Sequence, residues 1–262
     1  MPFVSLPDGQ LHYRIDGRDD APVLVLSNSL GTNLGLWDFQ IDAFAEHFRV
    51  VRYDTRGHGR SLVTPGPYSM EQNSLDLLAL LDTLAIRKFF FLGLSMGGSI
   101  GQWLAINAGE RLHKLVLCNT GAKIGTDESW PPRIAAVRQG GKPGMLEMRE
   151  ATIRRWFTPD FVTANPSAVE HIARMLADSD PEGYAANCEA LRDADTRAQV
   201  SAITVPTLIV GGTYDVATTM ADAKFLHDNI AGSELAEFPA AHLSNVQFPD
   251  DFNRRVLKFL VE

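Results

Sequence analysis

A serine between two glycines is the feature of this sequence that points most directly to chemistry. Ser95 stands at the centre of a G-x-S-x-G motif at residues 93–97, directly after the apolar run 88–92. The following residues, 98–106, have the character of a helix. A serine at a sharp turn from a buried strand into a helix has an exposed hydroxyl, and glycines are needed where the crowded turn excludes larger side chains. We therefore predict that Ser95 is a nucleophile.

A serine hydroxyl is a poor nucleophile at neutral pH, so it needs a histidine to accept its proton and an acid to orient that histidine. Asp215 follows a predicted strand that ends near residue 211, and His242 follows another that ends near residue 238. Open α/β sheets build their sites at such strand ends. The order serine, acid, histidine along the chain also fits this arrangement. We predict that Ser95, Asp215 and His242 form a catalytic triad.

Other residues compete for the roles of acid and base. Asp193 and Asp195 lie in a helical region rather than at a strand end. His58 lies in the glycine-rich loop 56–61, where a structural role is more common. Both predicted residues also have a non-catalytic interpretation. His242 would then be an exposed loop histidine, and Asp215 would be an ordinary turn aspartate.

Acyl transfer also needs backbone N–H groups that face the developing oxyanion. The N–H of Met96, just after the nucleophile at a helix start, is one expected donor. The second should come from the loop after the strand 22–27, where Leu30 or Ser29 is the candidate. Spacing alone does not choose between these two residues.

Composition limits the classes of partner. The chain has 262 residues, of which 45% are hydrophobic and 21% charged, so it can form one large domain or one domain with an inserted subdomain. Its net charge of −8 and the absence of any basic run argue against a nucleic acid partner. An acidic protein can still hold an anionic small molecule through a few arginines in one pocket.

The sequence also carries no sign of export or membrane insertion. The N-terminal segment lacks the basic start and apolar stretch of a signal peptide, and no apolar run approaches the roughly 20 residues of a membrane span. Cys118 and Cys188 have no metal-ligand spacing and indicate no disulfide scaffold. We expect a cytoplasmic protein with no membrane partner, and the oligomeric state is left open.

Strands and helices alternate along most of the chain, which predicts an α/β fold with a mostly parallel central sheet flanked by helices. Residues 1–120 and 202–262 would form this core. Residues 121–201 show helical periodicity and no buried strand, which predicts an inserted helical cap. The predicted strands are 10–16, 22–27, 48–54, 88–92, 114–119, 205–211 and 233–238, and the predicted helices are 70–86, 98–106, 134–138, 146–157, 168–177, 184–194, 219–230 and 252–261.

Taken together, these motifs resemble the α/β-hydrolase family over nearly the whole chain. The segment 53–61, Tyr-Asp-Thr-Arg-Gly-His-Gly-Arg-Ser, looks like the loop that follows the fourth strand in that family. Most relatives have His-Gly in the first oxyanion loop, whereas residues 27–31 here read Ser-Asn-Ser-Leu-Gly. That loop is similar to the one in the 3-oxoadipate enol-lactonases of bacterial aromatic degradation. Residues 93–98, 117–120, 155–158 and 184–190 resemble the same subgroup.

The resemblance implies hydrolysis of 3-oxoadipate enol-lactone to 3-oxoadipate in the β-ketoadipate pathway. Ser95 would attack the lactone carbonyl while His242 accepts its proton and Asp215 orients His242. Water activated by His242 would then cleave the acyl-enzyme. The expected partner is a small lactone that bears a carboxylate, and neither a metal nor an organic cofactor is required.

The substrate carboxylate needs a positively charged partner. The predicted cap offers several arginines, among which Arg133 is our candidate, and nearby Trp130 could cover the lactone ring. For any one arginine the alternative is a solvated helix face, and for Trp130 it is the core of the cap. The full set of candidates is Arg133, Arg138, Arg154, Arg155 and Arg192.

Other functions share these motifs. A carboxylesterase or a cofactor-free haloperoxidase-like hydrolase would have the same triad, although the Ser-Asn-Ser-Leu-Gly loop argues against both. A meta-cleavage C–C hydrolase would have a more glycine-rich first loop, and epoxide hydrolases and dehalogenases have aspartate where Ser95 stands. A ligand receptor built on a hydrolase scaffold can retain a full triad and is the alternative from outside enzymology.

Overall fold

Eight strands and ten α-helices are present in residues 2–262, which are the residues that this computed structural model describes. The strands are β1 (Phe3–Leu6), β2 (Gly9–Asp16), β3 (Val23–Ser27), β4 (Arg49–Tyr53), β5 (Phe89–Leu94), β6 (Leu112–Cys118), β7 (Thr207–Gly212) and β8 (Glu234–Phe238). From β3 onward the strands alternate with helices along the chain, as the sequence predicts, and four helices follow one another between β6 and β7.

These strands form one sheet in the order β1-β2-β4-β3-β5-β6-β7-β8. The pairs β1–β2 and β2–β4 are antiparallel, and all the pairs from β4 to β8 are parallel. The mostly parallel sheet is therefore confirmed. β1, a four-residue strand that pairs with β2 at the edge of the sheet, was not predicted, because so short a strand shows little alternation.

Along the chain, one or more helices follow each strand from β3 onward, and all of these helices except the one at Pro159–Ala164 contain buried residues. They are α1 (Ile41–Ala45), α2 (Met70–Thr83), α3 (Met96–Asn107), α4 (Trp130–Trp156), α5 (Pro159–Ala164), α6 (Pro166–Asp178), α7 (Pro181–Asp193), α8 (Met220–Asn229), α9 (Ser244–Gln247) and α10 (Pro249–Val261). Three of them, α1, α5 and α9, were not predicted, since helices of four to six residues are too short to show a helical period. No helix in the described part of the chain combines the length and apolar character of a membrane span.

Helices α4 to α7 all lie between β6 and β7, and we call residues 121–201 the helical insertion. Its described residues contain no strand. The sequence predicted separate helices at 134–138 and 146–157, and α4 likewise consists of two helical segments that meet at a kink. Gly141 interrupts it with φ 54° and ψ −144°, which is a conformation that glycine adopts without strain.

The carboxyl edge of the sheet brings together the loops that follow β5, β7 and β8. The central strands β3, β5, β6 and β7 are almost wholly buried between helices, so their positions are fixed by the core. Because β5, β7 and β8 are parallel, their carboxyl ends lie at the same edge. Ser95 follows β5, Asp215 follows β7 and His242 follows β8.

Candidate active site

Ser95 lies at the tight turn between β5 and α3. Its φ of 57° and ψ of −111° are unusual for a residue with a side chain, and such strain is held only by surrounding structure. A Cβ atom on Gly93 would lie 2.1 Å from the carbonyl oxygen of Gly97, and one on Gly97 would lie 2.2 Å from that of Ser27. The strand, turn and helix around Ser95 are thus present, and both flanking positions exclude a side chain.

His242 and Asp215 form a buried pair beside this turn. Nδ1 of His242 lies 2.8 Å from Oδ2 of Asp215. The same carboxylate accepts hydrogen bonds from the backbone N–H groups of Ala217 and Thr218, from the Thr218 hydroxyl and from Nδ2 of Asn119. Burial alone would raise the pKa of Asp215, but the charge of His242 and these hydrogen bonds outweigh it and lower the pKa to about 2. Asp215 is therefore held as a carboxylate that faces the imidazole.

Ser95 and His242 line one cavity of about 140 Å³ between the sheet edge and the helical insertion. The sequence-predicted rivals lie elsewhere. Asp193 pairs with Arg192, Asp195 pairs with Arg197, and His58 does not line this cavity. The structure thus brings Ser95, Asp215 and His242 together and leaves the competing acids at the surface.

Both candidate donors of the second oxyanion contact, Ser29 and Leu30, also line the cavity. The carbonyl of Asn28 accepts a hydrogen bond of 3.0 Å from the N–H of Gly97 at the start of α3. In a trans peptide the N–H points opposite to the carbonyl, so the N–H of Ser29 points away from the start of α3. The Ser29 carbonyl instead accepts from Thr32, through the backbone N–H at 3.2 Å and Oγ1 at 2.8 Å.

That arrangement leaves the N–H of Leu30 without a hydrogen-bond partner among residues 2–262. Met96 is the first residue of α3, where a backbone N–H has no acceptor within the helix. Two adjacent segments therefore supply available donors beside Ser95. Of the two alternatives that spacing left open, the peptide orientations favour Leu30 over Ser29.

The opposite wall of the cavity comes from the helical insertion and includes both predicted substrate-binding residues. Trp130 is buried, and its Nε1 donates a hydrogen bond of 2.9 Å to the carbonyl of Ile124. The guanidinium of Arg133 lies 5.6 Å from the Trp130 ring centroid and 5.4 Å from that of Tyr184, and it donates a hydrogen bond to the Tyr184 hydroxyl. Trp130 therefore belongs to the core of the insertion and to the cavity wall at once.

Of the five candidate arginines, the structure brings only Arg133 and Arg155 to the cavity. Partial desolvation and the charge of Arg133 lower the pKa of Arg155. Arg138 forms ion pairs with Glu182 and Glu189, which fits the alternative of a helix surface. The same holds for Arg154, which pairs with Glu150, and for Arg192, which pairs with Asp193.

Sequence reasoning missed Asn119 as part of this site. Its Nδ2 lies 3.1 Å from Oδ2 of Asp215 and 3.2 Å from the carbonyl of Ala241, so it holds both loops of the Asp215–His242 pair. Asn119 directly follows β6, the strand between β5 and β7. Its place at a strand end was the signal that could have found it.

The described residues contain no group of side chains suited to a metal centre. In residues 2–262, no three or more histidine, cysteine, aspartate or glutamate side chains are grouped so that they could hold an ion. Cys118 and Cys188 are both buried and free.

Several known proteins with similar sequences are named as hydrolases. A family model described as the alpha/beta hydrolase fold matches residues 22–249. The chain is 44% identical over 253 residues to 3-oxoadipate enol-lactonase 2 of Acinetobacter baylyi, which covers 97% of this chain and 94% of that protein. It is 30% identical over 260 residues to a protein of Stutzerimonas stutzeri that is named as a candidate carbamate hydrolase, RutD, which covers 96% and 97%.

A solved structure extends the similarity to three dimensions. The crystal structure of the enol-lactonase from Burkholderia xenovorans LB400 superimposes with a TM-score of 0.97 at 44% identity and covers the whole of both chains. The matches in sequence and in structure span nearly the entire protein, including all the residues of the site. The chain therefore belongs to the α/β hydrolase family and is a hydrolase.

Proposed function

We propose that this protein hydrolyses 3-oxoadipate enol-lactone to 3-oxoadipate, a step of aromatic compound catabolism through the β-ketoadipate pathway. One observation gives this proposal its strongest support. The cavity that contains Ser95 and His242 also contains two arginine side chains with no ion-pair partner in the described residues. Such a site fits a substrate that presents an ester carbonyl and a free carboxylate at once. The relatives named as enol-lactonases support the same substrate.

The chemistry follows from the positions of the proposed triad. Oγ of Ser95 attacks the lactone carbonyl carbon while Nε2 of His242 takes the hydroxyl proton. Asp215 keeps the Nδ1 proton of His242 in place through the 2.8 Å contact and stabilises the imidazolium. When the tetrahedral intermediate collapses, the ring C–O bond breaks and the enol oxygen leaves. It stays attached to the acyl-enzyme through the carbon chain and can accept the proton from His242.

The second half of the cycle releases the product. His242 takes a proton from a water molecule, which attacks the acyl carbon, and the C–O bond to Ser95 breaks as Oγ regains its proton. The enol tautomerises to the ketone, which makes the enol a good leaving group in the first step. No step in this scheme uses a metal or an organic cofactor.

We propose that the N–H groups of Met96 and Leu30 bind the oxyanion in both tetrahedral intermediates. Their lack of other hydrogen-bond partners supports this assignment, because a donor that is already paired has less to offer a developing charge. Removing one such donor typically costs about 10²–10³ in kcat.

We further propose that the helical insertion acts as a cap that recognises the substrate. Arg133 and Arg155 would bind the carboxylate, and the Trp130 ring would cover the lactone. Residues 1–120 and 202–262 would then supply the reacting groups, and residues 121–201 the selectivity. The position of α4, which carries all three of these side chains, supports this division.

A comparison of three substrates tests the proposal. Purified protein should show a higher kcat/KM for the enol-lactone than for a neutral aryl ester or a carbamate of similar size. A preference for the aryl ester would favour a carboxylesterase or a haloperoxidase-like hydrolase, and a preference for the carbamate would favour the function of the more distant relative. Single turnover with all three would indicate a ligand receptor.

A further inference from the structure

His58, a rival for the role of base in the sequence, holds the loop that carries Leu30. The backbone N–H of Gly31 donates a hydrogen bond of 2.9 Å to Nε2 of His58. Since Nε2 accepts, a neutral His58 carries its proton on Nδ1, which lies 3.3 Å from the carbonyl of Arg56. The imidazole is buried and outside the cavity, so it contacts no substrate.

The surroundings of His58 keep it neutral. Burial lowers its pKa to about 4, against the opposing effects of the hydrogen bond to the Arg56 carbonyl and the negative charge of Asp54. A neutral imidazole retains the lone pair that the N–H of Gly31 needs. Nδ2 of Asn187, on α7 of the helical insertion, donates a 2.8 Å hydrogen bond to the same carbonyl of Arg56.

The hydrogen bond from Gly31 to His58 fixes one of the two peptides that flank Leu30. The peptide that precedes Leu30 is fixed through the Ser29 carbonyl by Thr32, and the peptide that follows is fixed through the N–H of Gly31 by His58. Gly31 has a φ of 76°, and a glycine there can change conformation easily unless its peptide is held. With both peptides held, the N–H of Leu30 has a single direction.

The helical insertion closes the other side of the loop. A Cβ atom on Gly31 would lie 2.7 Å from Leu176 of α6 and 3.0 Å from Tyr184 of α7. The backbone at Gly31 therefore lies between His58 and two helices. His58 is the only one of these neighbours in the described residues that offers the N–H of Gly31 an acceptor.

We propose that His58 is a positioning residue, which accepts the hydrogen bond from Gly31 and thereby aims the N–H of Leu30 at the oxyanion. The inference rests on the proposed esterase chemistry, but not on the choice of lactone, because the same oxyanion contact serves any ester. Loss of the acceptor should weaken binding of the transition state more than binding of the substrate.

Two substitutions separate this role from packing. His58→Met has a similar volume and no comparable acceptor, whereas His58→Gln retains an acceptor in its side-chain oxygen. For the aryl ester and the lactone alike, His58→Met should lower kcat by about 10- to 100-fold with KM changed less than about threefold. His58→Gln should recover most of that loss. Thr207→Val, which removes a buried 2.7 Å hydrogen bond far from the site, should leave kcat unchanged at a similar cost in thermal stability.

The outcomes distinguish the possible failures. An unchanged kcat in His58→Met, or a fall in kcat that His58→Gln does not reverse, overturns the role of His58. Activity on the aryl ester without activity on the lactone overturns the proposed substrate and leaves the test of His58 intact. If His58→Met does not fold, the ¹⁵N chemical shifts of the His58 ring in the wild type decide, since a proton on Nε2 would contradict the contact with Gly31.

Discussion

Arg133 and Arg155 face one cavity from the two segments of the kinked helix α4, and neither guanidinium forms an ion pair within residues 2–262. The other candidate arginines of the insertion are each paired with a carboxylate. Two like charges beside each other are unfavourable without an anion. This arrangement supports the proposal that the pair binds a negative charge that arrives with the substrate.

Replacing either cavity arginine should raise KM for the carboxylate-bearing lactone. A hydrogen bond to a charged group contributes about 1.5–3 kcal/mol, so Arg133→Gln should raise KM by about 10- to 100-fold. The effect of Arg155→Gln should be smaller because Arg155 is more exposed to solvent. Steady-state kinetics with the lactone and with a neutral aryl ester measure both effects.

Arg154 supplies the matched control for these variants. It precedes Arg155 on α4 but pairs with Glu150 at the surface, so Arg154→Gln should change KM for neither substrate. If Arg133→Gln and Arg155→Gln raised KM equally for the lactone and the neutral ester, the arginines would shape the cavity without binding a carboxylate.

Asp215→Asn should reduce kcat strongly with little change in KM. An amide at this position can stabilise the wrong tautomer of His242, and the equivalent change in a serine protease triad lowers kcat by about 10⁴-fold. We expect a loss of about 10³- to 10⁴-fold here. Asp193→Asn, which alters a competing acid at the surface, should retain wild-type kcat. A reversal of these two results would assign the acid to the helical insertion.

The stability of the fold should depend on pH through Asp215. Its pKa is about 2 in the folded protein and about 3.9 in an unfolded chain, so the unfolded state takes up a proton first as the pH falls. Ionised Asp215 therefore stabilises the fold above about pH 4, and that contribution is lost between about pH 4 and pH 2. The full difference corresponds to about 2 to 3 kcal/mol.

Denaturant unfolding of the wild type and of Asp215→Asn at several pH values measures this contribution. The wild type should lose about 2 kcal/mol more unfolding free energy than the variant between about pH 5 and pH 2. Subtracting the loss measured in the variant from that in the wild type removes the effect of the other acidic groups. A difference between the two proteins that stays constant with pH would contradict the depressed pKa.

Leu191 should limit the length of the acyl group. A second cavity of about 130 Å³ lies beside the first, and the two share Ile124 and Leu191 as lining residues. Leu191→Ala should join them and raise kcat/KM for aryl esters with longer acyl chains relative to acetate, at a cost of about 2–5 kcal/mol in stability. Val137→Ala truncates a buried residue of α4 that lines neither cavity, so it should leave the chain-length preference unchanged. An unchanged preference in Leu191→Ala would mean that the two cavities stay separate.

The sheet could be predicted because its buried strands are apolar runs that end in polar loops, and strand ends then indicated Ser95, Asp215 and His242. The second oxyanion donor could not be chosen from spacing, since it depends on the direction of each peptide between Asn28 and Gly31. The sequence also could not choose among the five candidate arginines for the substrate carboxylate. The sequence does not indicate which of them faces a cavity, and only the fold reveals that Glu182 and Glu189 neutralise Arg138 while no carboxylate within residues 2–262 forms an ion pair with Arg155.

Formation of an acyl-enzyme on Ser95 is the central claim, and mass spectrometry of rapidly quenched protein tests it directly. With the enol-lactone, the peptide that contains Ser95 should gain the mass of one whole lactone, because ring opening releases no fragment. Ser95→Ala should fold with wild-type thermal stability and show neither the adduct nor turnover. Full turnover by Ser95→Ala, or an adduct on a different residue, would contradict the account.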